Sequence, residues 1–175
     1  TGIQKGGIYR HFTNKDELAI EAFEYAADVV GQQFAQAIDR EQSAMDKLLV
    51  FFNVYDQAAD KPPFIGGCPI LNTAVESDDT HPALRMRALT GMMNTMDTMK
   101  TIIDEGKVNG EFANDLESEA AASFALALLE GSIMLSKLSG DNRYIRQNRE
   151  SFAAYLKQYQ VTKKEGQGPP HDVKR

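Results

Sequence analysis

Apolar residues recur at three- and four-residue steps along most of the chain, which is the spacing of helices that bury one face. The first clear stripe follows Asn14, and its members are Ala19, Phe23, Ala26, Val30, Phe34 and Ile38. Asn14 and Glu17 have the spacing of a capping box, so a helix should begin there and end near Arg40. The alternation that is typical of strands is absent, and the sequence predicts an all-α fold.

Further helices follow from similar start and stop signals. Ser43 should cap a helix whose apolar face contains Leu48, Phe51, Phe52, Tyr55, Ala58 and Ala59, and Lys61-Pro62-Pro63 should stop it. The remaining predicted helices run from about Ile70 to Glu76, Pro82 to Lys107, Asp115 to Leu138 and Asp141 to Gln160. Asn114 and Glu117 again have capping-box spacing. With one more helix ahead of Asn14, the chain should contain about seven helices.

The helix predicted from about Asp115 to Leu138 is apolar on nearly every side. Its apolar residues include Ala121, Phe124, Ala125, Leu128, Leu129, Ile133 and Leu135. A helix of this kind is normally buried on every side. In a chain of 175 residues, one face should pack on the chain's own core and another on a partner. No run of about 18 apolar residues occurs, so no membrane-spanning helix is expected.

Composition and charge narrow the class of protein. Hydrophobic residues make up 42% of the chain and charged residues 25%, as in an ordinary globular protein. The one cysteine, Cys68, excludes an internal disulfide and fits a reducing, cytoplasmic location. The formal net charge of -6 argues against nucleic acid, but local patches decide phosphate binding. From Thr1 to Lys15 every charged side chain is basic, so a basic segment precedes an acidic body.

The stretch TGIQKGGIYRHFTNKDEL at the start of the chain carries the most specific pattern. Its residues from Lys5 to Phe12, with Lys15 and Leu18, resemble the end of the helix-turn-helix of TetR-family regulators. The segment Gly66-Gly67-Cys68-Pro69-Ile70 also resembles part of some family members. This resemblance implies a homodimeric, DNA-binding repressor. The family has two further helices upstream, and since the chain opens on Thr1 rather than Met, we expect a missing N-terminus.

The resemblance also implies a domain organisation. Residues 1–40 would be the last part of the helix-turn-helix domain, and residues 41–162 a helical domain for ligand binding and dimerisation. Residues 163–175 are polar and contain glycine and proline, so they should form a flexible tail. By the family pattern, the dimer should form through residues from about 115 to 160, which would build a four-helix interface.

Six residues near the start are candidates for contact with operator DNA: Gln4, Lys5, Gly6, Tyr9, His11 and Lys15. Gln4 can pair with adenine, and Lys5 with guanine or phosphate, in the major groove. Gly6 lets the backbone approach the duplex, and Tyr9 and His11 can donate to phosphate oxygens. Lys15 should lie in the first turn of a helix, where a phosphate would be bound by the helix N-terminus and the Lys together.

TetR-type proteins usually release DNA when a small molecule enters the larger domain, and the resemblance extends this expectation here. The candidate lining residues are Phe51, Phe52, Tyr55, Met92, Met96, Met99 and Phe124. Taken singly, each is better explained as an ordinary core residue, whereas the cluster as a whole favours a pocket. We see no charged residue on these apolar faces, so the expected ligand is largely apolar. Cys68 is counted with this site.

Two alternatives stay open. Cys68 could be a thiol sensor of electrophiles or oxidants, which needs an accessible thiolate, or simply a small buried residue. The chain could also be a helical ligand-binding or interaction module with no DNA role. An enzyme is not expected, since His11, His81 and His171 are scattered and show no metal-ligand or catalytic spacing. No metal and no cofactor are predicted.

Overall fold

The computed structural model describes residues 12–77 and 81–161. These residues form six helices, so the predicted all-α fold is confirmed. The helices are α1 (Lys15–Ile38), α2 (Ala44–Val54), α3 (Pro69–Ser77), α4 (Pro82–Val108), α5 (Ser118–Ser139) and α6 (Arg143–Lys157). The helix predicted ahead of Asn14 and the tail at 163–175 lie outside the described residues.

Side-chain caps begin the first two helices where the sequence predicts them. The Asn14 side chain accepts a hydrogen bond from the Glu17 amide at 2.8 Å, and Ser43 Oγ accepts from the Asp46 amide at 3.0 Å. Each bond satisfies a backbone donor that has no partner within its helix. A third cap is His81, whose Nδ1 accepts from the Leu84 amide at 3.1 Å at the start of α4.

Two helix boundaries differ from the prediction because tertiary packing overrides local signals. α2 ends at Val54, and a series of turns from residue 55 to 60 precedes the prolines. The Ala59 amide in these turns donates to Asn142 Oδ1 at 2.8 Å, so the segment is tied to the start of α6.

At the second boundary, α5 begins at Ser118, and Asn114 does not cap it. Its N-cap residue is Glu117, which makes no side-chain cap. Phe112 and Leu116 are buried in the core, so the preceding segment packs inward as turns. Ser118 Oγ donates to Asp104 Oδ1 and accepts from Lys107 Nζ, which fixes the start of α5 against α4.

The helices pack around one apolar core. α4 lies between α3 and α5, α6 covers α5 and α2, and α1 lies across α2, α3 and α4. The core is built mainly from the inner faces of α2, α4 and α5 with the apolar side of α6, and its largest members include Phe51, Phe52, Met99, Ile103, Leu129 and Phe152. Gly140, in the left-handed conformation at φ 68°, ends α5 as its sequence position predicts.

α1 connects the beginning of the described chain to the helical body. It has 24 residues and is therefore about 36 Å long. Only Phe23, Ala26 and Val30 are buried along it. Its first half is held to α4 by two polar contacts at the surface, Arg87 with Glu24 and His81 with Asp16. The Arg87–Glu24 pair is largely exposed, and exposed pairs contribute little to stability, so α1 is held mainly by its buried face.

Gly106 is predicted to be intolerant of a side chain, because a Cβ there would lie 2.7 Å from both Ala44 Cβ and Phe112 Cδ2. Gly106→Ala should therefore lower the free energy of unfolding by about 1–3 kcal/mol through overpacking. Urea denaturation followed by circular dichroism measures this change.

The matched control is Gly31→Ala, on α1. A Cβ at Gly31 meets nothing within 4 Å, so the helix-propensity gain should raise stability by up to about 1 kcal/mol. Equal effects of the two substitutions would contradict the packing described for Gly106.

Candidate functional site

A cavity of about 220 Å³ lies where α1 crosses the body of the protein. α1 forms one wall, the turn after α2 and the start of α3 form the floor, and α4 and α5 close the other side. The lining residues are Ala27, Asp28, Val30, Gly31, Phe34, Tyr55, Cys68, Pro69, Ile70, Gly91, Asn94, Thr95, Leu126, Leu129 and Glu130. A Cβ at Gly31 would meet nothing within 4 Å, whereas a Cβ at Gly91 would lie 3.3 Å from Ile70 Cδ1, so glycine at position 91 allows α3 to pack closely on α4.

A small polar cluster lies inside this mostly apolar cavity. Cys68 Sγ donates to Glu130 Oε1 at 3.0 Å. Among the described residues, Glu130 Oε2 and the Tyr55 hydroxyl have no hydrogen-bond partner, although both atoms are buried. Burial raises the pKa of the Glu130 carboxyl and, together with the nearby Cys68 and Glu130, raises the pKa of Tyr55. Unsatisfied buried polar atoms are costly, so they mark a place where a ligand could form bonds.

A second cavity of about 290 Å³ adjoins the first, between α3, α4 and α5. It is lined by Ile70, Leu71, Ala74, Met92, Met96, Ser123, Leu126, Ala127 and Glu130. Ile70, Leu126 and Glu130 belong to both linings, so they form the partition between the two spaces. The second space is otherwise almost entirely apolar, and the carboxyl group lies at its border with the first.

The residues predicted from sequence to line a ligand site are distributed over several environments. Tyr55 and Cys68 line the first cavity, and Met92 and Met96 line the second. The structure places three more, Phe51, Phe52 and Met99, in the fully buried core, where they line neither of these two cavities.

Phe124 lies on the outer side of α5, and its ring centroid is 6.1 Å from that of Phe152 and 5.2 Å from that of Tyr155.

Glu130 is a functional candidate that the sequence did not predict, because no charged residue was expected on these apolar faces. Its signal was present, since Glu130 is the one charged residue between positions 120 and 135.

The environment of Cys68 disfavours thiol-based sensing. The side chain is 5% exposed, and burial together with the neighbouring Glu130 raises the pKa of the thiol to about 12. A sensor cysteine needs an accessible thiolate. Cys68 directly precedes α3, where the backbone amides of Leu71 and Ile70 lower the pKa of its thiol, but burial and Glu130 outweigh them. At neutral pH the Cys68 thiol stays protonated, and in that form it can donate to Glu130.

The end of α1 farthest from the cavity is the candidate contact with DNA. Of the residues predicted for this role, Gln4, Lys5, Gly6, Tyr9 and His11 lie outside the described residues. Lys15 is exposed and is the first residue of α1, directly after the cap Asn14. At 1.5 Å per residue, Lys15 lies about 20 Å along the helix axis from the cavity wall at Asp28.

An exposed apolar stripe runs along the outer side of α5. Phe124, Met134, Leu135 and Leu138 are between 40% and 82% exposed, and the helical repeat places Gly131 among them. By length and composition, Ser118–Ser139 could also cross a membrane, but 44% of an 18-residue stretch of this helix is buried inside the chain. Core helices of soluble proteins often have this composition, so the exposed part of α5 is better explained by a protein partner.

The comparisons with known proteins identify the family. Residues 44–152 match the family model described as "Tetracyclin repressor-like, C-terminal domain". The chain belongs to the TetR family. TetR-family proteins are DNA-binding transcriptional regulators rather than enzymes, and they bind operator DNA and dimerise. The resemblance inferred from the first 18 residues is therefore confirmed by a match that begins well after them.

Solved structures and a curated relative support this assignment. A TetR transcriptional regulator from Chloroflexus aurantiacus J-10-fl is 36% identical, with 92% of this chain and 82% of that chain covered and a TM-score of 0.86. A TetR-family regulator from Cytophaga hutchinsonii is 34% identical, with coverage of 93% and 82% and a TM-score of 0.86. The uncharacterized HTH-type transcriptional regulator YxaF of Bacillus subtilis (strain 168) is 27% identical over 142 residues, 81% of this chain and 72% of that protein.

Proposed function

We propose that this protein is a ligand-responsive transcriptional repressor, which binds operator DNA in the cytoplasm and releases it when a small molecule occupies the cavity beside α1. One observation carries the proposal. The helix that begins at Lys15, on the candidate DNA-contact side, also forms a wall of the cavity through Val30, Gly31 and Phe34. A ligand in the cavity would therefore touch the same rigid element that positions the DNA-contact end.

The coupling follows from the rigidity of a helix. If a ligand displaces the cavity wall so that α1 tilts by about 8°, a point about 20 Å along the axis moves by about 3 Å. A shift of that size in both protomers changes the spacing of the two DNA-reading elements, which must match successive turns of the duplex. The ligand shifts the population only as far as it binds the released conformation more tightly than the DNA-bound one.

Lys15 would contribute to the DNA complex as a phosphate contact rather than as a reader of bases. It stands at the N-terminus of α1, where backbone amides and the helix dipole favour an anion. Phosphate contacts fix the register of a protein on the duplex and make its affinity depend on salt. The residues proposed to read bases, Gln4 and Lys5, precede it in the sequence.

Replacing Lys15 with Ala should weaken operator binding about three- to tenfold and reduce the salt slope by about 1 per protomer. Fluorescence anisotropy at several salt concentrations, with an operator selected from random DNA, measures both quantities. Lys61→Ala is the control, because Lys61 is an exposed lysine in the turn after α2, near the far end of α1. An unchanged slope for Lys15→Ala would refute the phosphate contact.

The ligand response is tested by closing the cavity. Gly31→Leu should fill the first cavity from α1, because a Cβ at Gly31 meets open space. Small molecules that raise the melting temperature of the wild-type protein should stabilise this variant much less. They should also release the wild-type protein from its operator and leave the variant bound. Release of the filled variant at the same ligand concentration would show that another site mediates the response.

We also propose that two copies of the chain associate through α5 and α6, giving a four-helix interface. The support is the exposed stripe of Phe124, Leu135 and Leu138, next to the aromatic side of α6 at Tyr155. Gly131 lies within the stripe and would allow the two α5 helices to approach closely. A dimer would bury apolar surface that a single chain leaves in water.

Leu138→Glu should weaken this dimer strongly, because Leu138 is 82% exposed in one chain and the new charge would be desolvated in the interface. Sedimentation equilibrium at micromolar concentration should show a larger monomer fraction with an unchanged helical content. The control is Ile65→Glu, since Ile65 is 92% exposed and lies outside α5 and α6. Equal dissociation of both variants, or of neither, would contradict the proposed interface.

A further inference from the structure

We propose that the ligand of this regulator is an amphiphilic organic cation, whose protonated nitrogen donates to Glu130 and whose apolar part occupies the cavity beside α1. This inference rests on the proposed function and replaces the largely apolar ligand expected from the sequence. It is carried by the charges that line the two cavities, by the unpartnered carboxyl oxygen, and by the volume of the cavity beside α1.

Two carboxyl groups line these cavities, that of Asp28 on α1 and that of Glu130 on α5. Tyr55 and Cys68 also line the first cavity, but burial raises the pKa of both groups and they are uncharged at neutral pH. α4 contributes polar but uncharged groups, and no lysine, arginine or histidine lines either cavity within residues 12–77 and 81–161. In a site of low dielectric constant such a lining favours a cation and opposes an anion.

The nearest basic group along α5 does not neutralise this site. Lys137 is two turns beyond Glu130, and its Nζ donates to the carbonyl oxygen of Gly66. The Glu130 carboxyl is therefore buried with one thiol donor and no basic partner among the described residues. Buried carboxylates are usually paired, so the missing partner is the group that a ligand would supply.

The bonding capacity of the carboxyl group defines where the ligand nitrogen would sit. Cys68 donates to Oε1, which leaves Oε2 free to accept a hydrogen bond from the ligand. Tyr55 is 1% exposed, its hydroxyl lies beside the Cys68 thiol, and it is part of the same cavity wall. A hydrogen bond between a charged donor and a carboxylate is about twice as strong as a neutral one.

The volume of the cavity beside α1 accounts for the apolar part of the ligand. This cavity measures about 220 Å³, and apolar side chains such as Val30, Phe34 and Leu129 line much of it. A cavity of about 150 Å³ can hold a benzene ring, so one aryl group fits here with room for a short alkyl chain.

Proton linkage follows from the same arrangement. Burial raises the pKa of Glu130 above its ordinary value of 4.5, so the carboxyl is protonated over a wider acidic range in the empty protein. A cation binds the ionised form, so its affinity should be constant well above the raised pKa and should fall as the pH drops through it. Asp28 is exposed, and Tyr55 and Cys68 stay protonated at neutral pH.

Three compounds of one shape test the ligand class: 4-phenylbutylamine, 4-phenylbutanol and 4-phenylbutyrate. In calorimetric titrations of the whole chain at pH 7.5, the amine should bind at least about tenfold more tightly than the alcohol, and the anion should bind most weakly. Glu130→Gln should remove the preference for the amine and its dependence on pH while leaving the affinity for the alcohol nearly unchanged. Glu150→Gln is the control, because Glu150 is exposed on α6.

The proposal is overturned if the anion binds as well as the amine, if the preference for the amine survives in Glu130→Gln, or if none of the three compounds binds. The wild-type ranking decides the question even where Glu130→Gln is unstable. Failure of the proposed function has a different signature. If the amine binds with the predicted ranking but does not release operator DNA, the ligand class stands and the ligand-responsive repressor does not.

Discussion

The structure depends on α5, which is apolar around nearly its whole circumference. A single chain of this size does not cover all of that apolar surface. One side packs on the core through residues such as Ala121, Leu129 and Ile133. A second side is the exposed stripe that ends at Leu138, which a partner copy would cover. A third side borders the two cavities, where Glu130 interrupts the apolar surface. Core, proposed interface and proposed ligand site are three faces of one helix.

The second constraint is the double role of α1. Its buried residues, Phe23, Ala26 and Val30, attach it to the body over the middle of its length, and two polar pairs, Arg87 with Glu24 and His81 with Asp16, add contacts to α4. Residues 15–22 are not buried, so this end of α1 can move without breaking a large apolar contact. Because helices are stiff, movement at Gly31 and Phe34 would appear at Lys15 rather than being absorbed between them.

Sequence patterns predicted the helices because each of them buries a periodic face, and they predicted the caps at Asn14 and Ser43 because those bonds are local. They failed where distant contacts decide the backbone, as in the turns after Val54 and around Phe112. The cavities could not be predicted for the same reason, since their volume depends on how α1, α3, α4 and α5 are spaced. Periodicity identifies an inward-facing residue, but it does not distinguish Met96 beside a cavity from Met99 in the core.

Glu130 shows why such a ligand site is hard to predict from one amino-acid sequence. It also shows how a residue that does not suit its helix can indicate a binding site. A leucine at that position would suit the apolar helix, and a buried carboxyl with an unpartnered oxygen makes the empty protein less stable than it could be. That lost stability is recovered when a ligand supplies the missing donor, because anything that binds only the folded state stabilises it. The residue that weakens the empty fold would therefore be the one that couples ligand occupancy to its conformation.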